Sequence, residues 1–147
     1  MKHVHTSKIM SGRPYGGTGF VFNKTYSSFL RPMIRYESER ISVMEIVEES
    51  GSIVLINAYF PYRKAGDEYR VKYLETLGMI ESIIDSNKSA KFIITGDFNC
   101  NLYDSTNEMS SVLIQFLRSN GLICSHDLDD TFDSSNSYTR CCEKSGT

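Results

Sequence analysis

The chain has 147 residues, 40% of them apolar and 23% charged, with a formal net charge of −2. That size and balance suit one globular domain, of a length that typically buries about 70% of the surface its unfolded chain exposes. No run approaches the ~20 consecutive apolar residues of a membrane-spanning helix, and no apolar stretch of a secretory signal follows the basic start at Met1, so neither membrane insertion nor export is expected.

Charge is unevenly spread. Residues 1–40 hold seven basic side chains (Lys2, Lys8, Arg13, Lys24, Arg31, Arg35, Arg40) against Glu37 and Glu39, which leaves nine basic and sixteen acidic residues in the remainder. Such polarity steers a polyanion toward an acidic site, or it merely solvates surface strands. Cys100, Cys124 and the adjacent Cys141 and Cys142 form neither a CxxC unit nor zinc-finger spacing with the histidines, so they read as free thiols in a reducing, intracellular compartment.

In chain order, the glycine-dense segment 12–19 lacks the Gly-Lys-Ser/Thr ending of a phosphate-cradling loop and reads as a turn. Strands are predicted over Thr18–Phe22, Phe29–Tyr36 and Arg40–Val47, joined as an antiparallel meander. Gly51–Phe60 is a further strand, and its continuous Ile53-Val54-Leu55-Ile56 run belongs inside a sheet. After Pro61, Asp67 and Glu68 open a helix running to about Ser86, in which Tyr73, Leu74, Leu77, Ile80, Ile83 and Ile84 recur at helical spacing, with Leu74, Leu77, Ile80 and Ile84 expected to pack against a sheet. Phe92–Thr95 is a short, buried strand bounded by Gly96. A second helix spans about Asn107–Asn120, with Thr106 as N-cap, Met109, Val112, Leu113, Phe116 and Leu117 inward, and Asn120-Gly121 as its stop. Leu122-Ile123-Cys124 is a short strand, and residues 127–137 are a polar loop.

The most informative segment is Ile93-Ile94-Thr95-Gly96-Asp97-Phe98-Asn99, an apolar strand that delivers two polar side chains at its carboxyl end, where open α/β sheets place their ligands. On extended backbone Asp97 and Asn99 point to the same side, roughly 7 Å apart. The carboxylate can orient a water or a hard cation, and the amide can donate to an oxyanion without adding negative charge. An Asx turn after the strand is the competing explanation.

Three strand-edge motifs occur in order: Gly12-Arg13-Pro14-Tyr15-Gly16-Gly17, Asn57-Ala58-Tyr59-Phe60-Pro61 and Gly96-Asp97-Phe98-Asn99. In this the chain resembles the endonuclease/exonuclease/phosphatase superfamily, and within it the endonuclease domains associated with reverse transcriptase in non-LTR retrotransposons. The resemblance implies a deoxyribonuclease I-like, four-layer α/β sandwich that hydrolyses DNA phosphodiesters with magnesium, manganese being the alternative, in the nucleus or elsewhere inside the cell. It implies that Asp97 positions the attacking water and holds the metal, that Asn99 holds the scissile phosphate, and that Tyr59 lies near the phosphate and leaving group. Where abasic-site enzymes of the family carry an asparagine, this chain has Tyr62, which argues against an abasic-site preference.

The family's upstream metal-binding glutamate has no counterpart before Glu37, and its closing Ser-Asp-His segment has none before Thr147. Ser125-His126-Asp127 has the reversed order and comes too early, so His126 reads as structural or loop-exposed. The resemblance therefore implies a single partial domain of reduced activity. A phosphatase or lipid phosphodiesterase on the same fold, or a non-catalytic remnant or binding module, are the alternatives.

Overall fold

The computed structural model describes residues 17–62, 67–104 and 106–128. Its contacts divide the chain into two compact units, Met1–Asn99 and Cys100–Thr147. The architecture is mixed α/β: a four-stranded mixed sheet and two helices.

In the first unit, β1 (Leu30–Pro32), β2 (Ile41–Glu48) and β3 (Gly51–Tyr59) form an antiparallel meander, and β4 (Lys91–Asp97) pairs parallel with β3, giving the order β1-β2-β3-β4. A parallel neighbour cannot be reached by a tight turn, so helix α1 (Asp67–Ser86) makes the crossover. Alternation along the strands sorts side chains onto two unlike faces.

On the first face, Ile41 and Val43 of β2 and Val54, Ile56 and Ala58 of β3 are all buried. Phe60 continues this face past the strand end, and its ring lies 4.7 Å from that of Tyr73 in α1. Tyr73, Thr76, Leu77, Ile80 and Ile83 are the buried positions of α1, a spacing of three and four that keeps one stripe inward. Each fully buried aliphatic side chain stabilises by about 1.5–3 kcal/mol. Two expected stripe members depart from this: Leu74 is exposed and Ile84 is only half-buried, because Tyr73 and Ile83, also expected in the apolar recurrence, take the inward direction. The turn of 3₁₀ helix at Ile34–Tyr36 is tied to the end of α1 by a hydrogen bond from the Asn87 amide to the Tyr36 hydroxyl. That phenol's pKa is lowered, chiefly by its hydrogen bond with Ser86.

The second face changes character along the strands. Ile46, Ile53 and Lys91 lie in one row across β2, β3 and β4, and Met44, Leu55 and Ile93 in the next. Toward the carboxyl ends of β3 and β4 the rows turn polar, first Ser42, Asn57 and Thr95, then Tyr59 and Asp97.

Several expectations are corrected. Thr18–Phe22 forms no strand; this segment is held by side chains instead, with Thr18 Oγ1 2.8 Å from Ser42 Oγ and the Asn57 amide donating to the Gly19 carbonyl at 3.0 Å. Phe29–Tyr36 gives only three strand residues before turning into the 3₁₀ turn. β4 is neither buried nor bounded by Gly96: among the described residues it is an edge strand, and it runs through Gly96 to Asp97, with Ile93 52% exposed. Gly96 is required within the ladder, since its φ is +129° and a Cβ there would lie 1.9 Å from the Ala58 carbonyl oxygen.

In the second unit, α2 (Glu108–Ser119) is capped by Asn107, whose side chain accepts from Met109 N, and Thr106 instead bonds to the Asp104 carboxylate. The helix stops at Asn120, followed by Gly121 at φ +63°. Met109, Ser110 and Leu113 are buried, while Val112, Phe116 and Leu117 are half-buried. Leu122–Cys124 is not a strand; a short 3₁₀ helix, Ser125–Leu128, follows it. The His126 side chain, the Gly12–Gly16 segment, the Cys141-Cys142 pair and most of the expected polar loop lie outside the described residues.

Candidate functional site

The parallel register sets Tyr59 directly beside Asp97 at the carboxyl ends of β3 and β4, with both side chains on the second face of the sheet. Asp97 is exposed and Tyr59 half-buried. This juxtaposition depends on Gly96, whose missing side chain lets β4 close on Ala58 one residue earlier.

Beyond Asp97 the backbone does not stay extended. Asn99 adopts φ 47°, in the left-handed region that Asn tolerates better than most residues. The Asp97 Oδ1 atom accepts a hydrogen bond from the Asn99 backbone N–H at 3.0 Å, so the Asx turn weighed from the sequence is present. The expectation that Asp97 and Asn99 project from one extended face is therefore replaced by a turn.

Phe60 clamps that turn in three ways. Its N–H donates to the Asp97 carbonyl at 2.8 Å, its carbonyl accepts from the Asn99 amide at 2.9 Å, and its ring stacks on Phe98 at 5.1 Å. The apolar Phe60 and Phe98 rings thus anchor a loop whose polar side chains remain at the sheet edge. Phe60 stands in the Asn57–Pro61 motif but was given no role of its own from the sequence. Its signal was an aromatic placed to continue the buried Val54-Ile56-Ala58 alternation.

Arg40 was also missed as a site residue. Its carbonyl accepts from Tyr59 N at 2.8 Å, which extends the β2–β3 ladder by one pair and brings Arg40 alongside Tyr59. Its guanidinium donates from Nη1 to the Tyr59 carbonyl at 3.3 Å and lies 5.9 Å from the centre of the Tyr59 ring. The strand-end row is thus a cation, a phenol and a carboxylate, with Asn57 and Thr95 in the row behind it.

Among the described residues no three His, Cys, Asp or Glu side chains converge on one point. Asp97 uses only Oδ1 in its turn, and its other oxygen accepts from no described residue. Magnesium commonly takes one or two carboxylates, with water and substrate phosphate completing its shell. The exposed Asp97 carboxylate is suited to supply one such anchor.

The apolar end of the same face borders an open groove of about 830 Å³, lined by Phe22, Tyr26, Phe29, Met44, Ile46 and Leu55 among others, with Glu48 and Glu49 at its margin. In the second unit, Tyr103 donates to the Asp127 carboxylate at 3.1 Å. Desolvation, reinforced by that carboxylate, raises the Tyr103 pKa. Neither Cys100 nor Cys124 is in a disulfide. No family model, curated protein or solved structure matches the chain.

Proposed function

We propose that this chain is a metal-dependent phosphodiesterase domain acting on DNA, built on the four-layer sandwich of the endonuclease/exonuclease/phosphatase type. The observation that supports this reading is Tyr59 beside Asp97 at the ends of two parallel strands, with Asn99 locked next to them through Phe60. Asp97 is the carboxylate that orients the attacking water and would hold magnesium or manganese. Tyr59 donates its hydroxyl to a phosphate oxygen. Asn99 spends one amide N–H on Phe60 and keeps the other for the phosphate. A bound divalent ion supplies Lewis-acid stabilisation of the phosphate charge.

The test is nicking of supercoiled plasmid with magnesium or manganese, with and without chelator. The expected result is slow, chelator-sensitive nicking that falls by at least about 10²-fold in Asp97→Ala, through loss of the group that orients the water. Chelator-resistant nicking, or an Asp97→Ala variant as fast as wild type, overturns the reading.

Exposure of Ile93 and the open apolar groove on the same face favour a second reading, a non-catalytic binding module. Duplex binding without any metal-dependent nicking is the outcome that selects it.

A further inference from the structure

We propose that Arg40 is the phosphate-binding cation of the strand-end row, its guanidinium gripping an anion that lies against Tyr59. This deepens the phosphodiesterase reading and rests on it. Arg40 is held in place by its backbone: its N–H donates to Ser38 Oγ at 3.2 Å, and its carbonyl accepts from Tyr59 N at 2.8 Å. The side chain is 27% exposed, and its guanidinium lies at the strand end beside Tyr59.

The charge on that head is weakly spent. Its one ion pair among the described residues, Nε to Glu39 Oε1 at 3.8 Å, is long, and the Glu39 side chain is 81% exposed, where such pairs contribute little. The head's one hydrogen bond among the described residues, from Nη1 to the Tyr59 carbonyl, is also long at 3.3 Å. A guanidinium carries five N–H donors in a planar fork that matches two phosphate oxygens at once, so Nη2 and the remaining N–H groups are available for an anion.

Placement decides which anion. Arg40 and Asp97 flank Tyr59 on neighbouring strands, two interstrand spacings or roughly 10 Å apart along the backbone. Among the described residues no ion pair joins Arg40 to Asp97, and Tyr59 stands in the row between the cation and the carboxylate. A phosphodiester fits this polarity, with its anionic oxygens drawn to Arg40 and its other side toward Asp97. The row behind supplies the neutral Asn57 and Thr95 and adds no negative charge to repel it.

The test uses the full chain, isotopically labelled, titrated with the dinucleotide thymidylyl-thymidine and followed by backbone amide shifts. The expected result is movement of the Tyr59, Asp97 and Asn99 signals, affinity about tenfold or more weaker in Arg40→Gln, and only partial recovery in Arg40→Lys, which keeps the charge but not the planar fork. Glu39→Gln, which leaves Arg40 intact, is expected to tighten binding by more in the wild-type background than in Arg40→Gln, a coupling that a merely structural Arg40 would not produce. Binding at those amides that is unchanged in both Arg40→Gln and Glu39→Gln overturns the role of Arg40 and leaves the phosphodiesterase reading standing. No movement of those signals in the wild-type chain overturns both.

Discussion

Replacing Gly96 with alanine tests whether the sheet edge is built as described. The added Cβ would stand 1.9 Å from the Ala58 carbonyl oxygen, against an ordinary contact of at least 3.4 Å, so the strands must separate locally by about 1.5 Å. An N–H···O bond of normal length does not survive that displacement. Losing one or two β3–β4 hydrogen bonds costs about 0.5–1.5 kcal/mol each, and holding a non-glycine residue near φ +129° adds about 1–3 kcal/mol. The total is about 1.5–6 kcal/mol, a large share of the 5–15 kcal/mol that typically separates folded from unfolded chains. Urea denaturation followed by far-ultraviolet circular dichroism measures it. Gly78→Ala is the matched control, since Gly78 sits in α1 with nothing within 4 Å of an added Cβ, and there alanine should stabilise by about 0.5–1 kcal/mol. A Gly96→Ala variant within 1 kcal/mol of wild type would refute the close β3–β4 approach, and with it the placement of Asp97 beside Tyr59.

Two further substitutions follow from the same structure. Leu77→Ala should cost about 2–5 kcal/mol in the same denaturation assay, because Leu77 is buried in the α1 stripe, whereas Leu74→Ala, one of the exposed positions, should fall within about 1 kcal/mol of wild type. Asn99→Ala should destabilise more than Asn99→Gly, since glycine loses only the amide bond to Phe60 while alanine must also occupy φ 47°; equal losses would show that the left-handed backbone is not what selects asparagine.

The long elements were legible in the sequence because their hydrophobic periods are long enough to average out local preference. α1 runs over Asp67–Ser86 as its apolar spacing and acidic first turn require, and β2 and β3 pair antiparallel over eight residues. Short segments were misread where tertiary contacts outweigh propensity. Thr18–Phe22 is rich in strand-forming residues, but Thr18 and Gly19 bond to the Ser42 and Asn57 side chains, and no backbone ladder forms. Leu122–Cys124 follows a helix stop directly and never reaches a partner strand. The exposure of β4 was hidden for a different reason: Phe92-Ile93-Ile94 looks like a two-sided buried run, yet only alternate residues of an edge strand need cover. The candidate site was half legible. A strand end carrying Asp97 could be found from composition alone, but Arg40 lies nineteen residues before Tyr59 and meets it only through the β2–β3 register.

The Asx turn at Asp97 and a role for Asp97 at a phosphate do not compete for the same atoms. The turn takes Oδ1 and the Asn99 backbone N–H, and the Phe60 carbonyl takes one proton of the Asn99 amide. What is left, one carboxylate oxygen, one amide N–H and the Tyr59 hydroxyl, is the set that an anion and its metal would use. The local hydrogen bonds do the fixing: they convert a flexible Gly-Asp-Phe-Asn segment into one with a defined backbone, and ordering these groups before a ligand arrives lowers the entropy that binding must overcome. The same logic explains the apolar residue between them. Phe98 points to the buried side and stacks on Phe60, so the two polar residues flanking it are held at the surface by the core rather than left to a free loop.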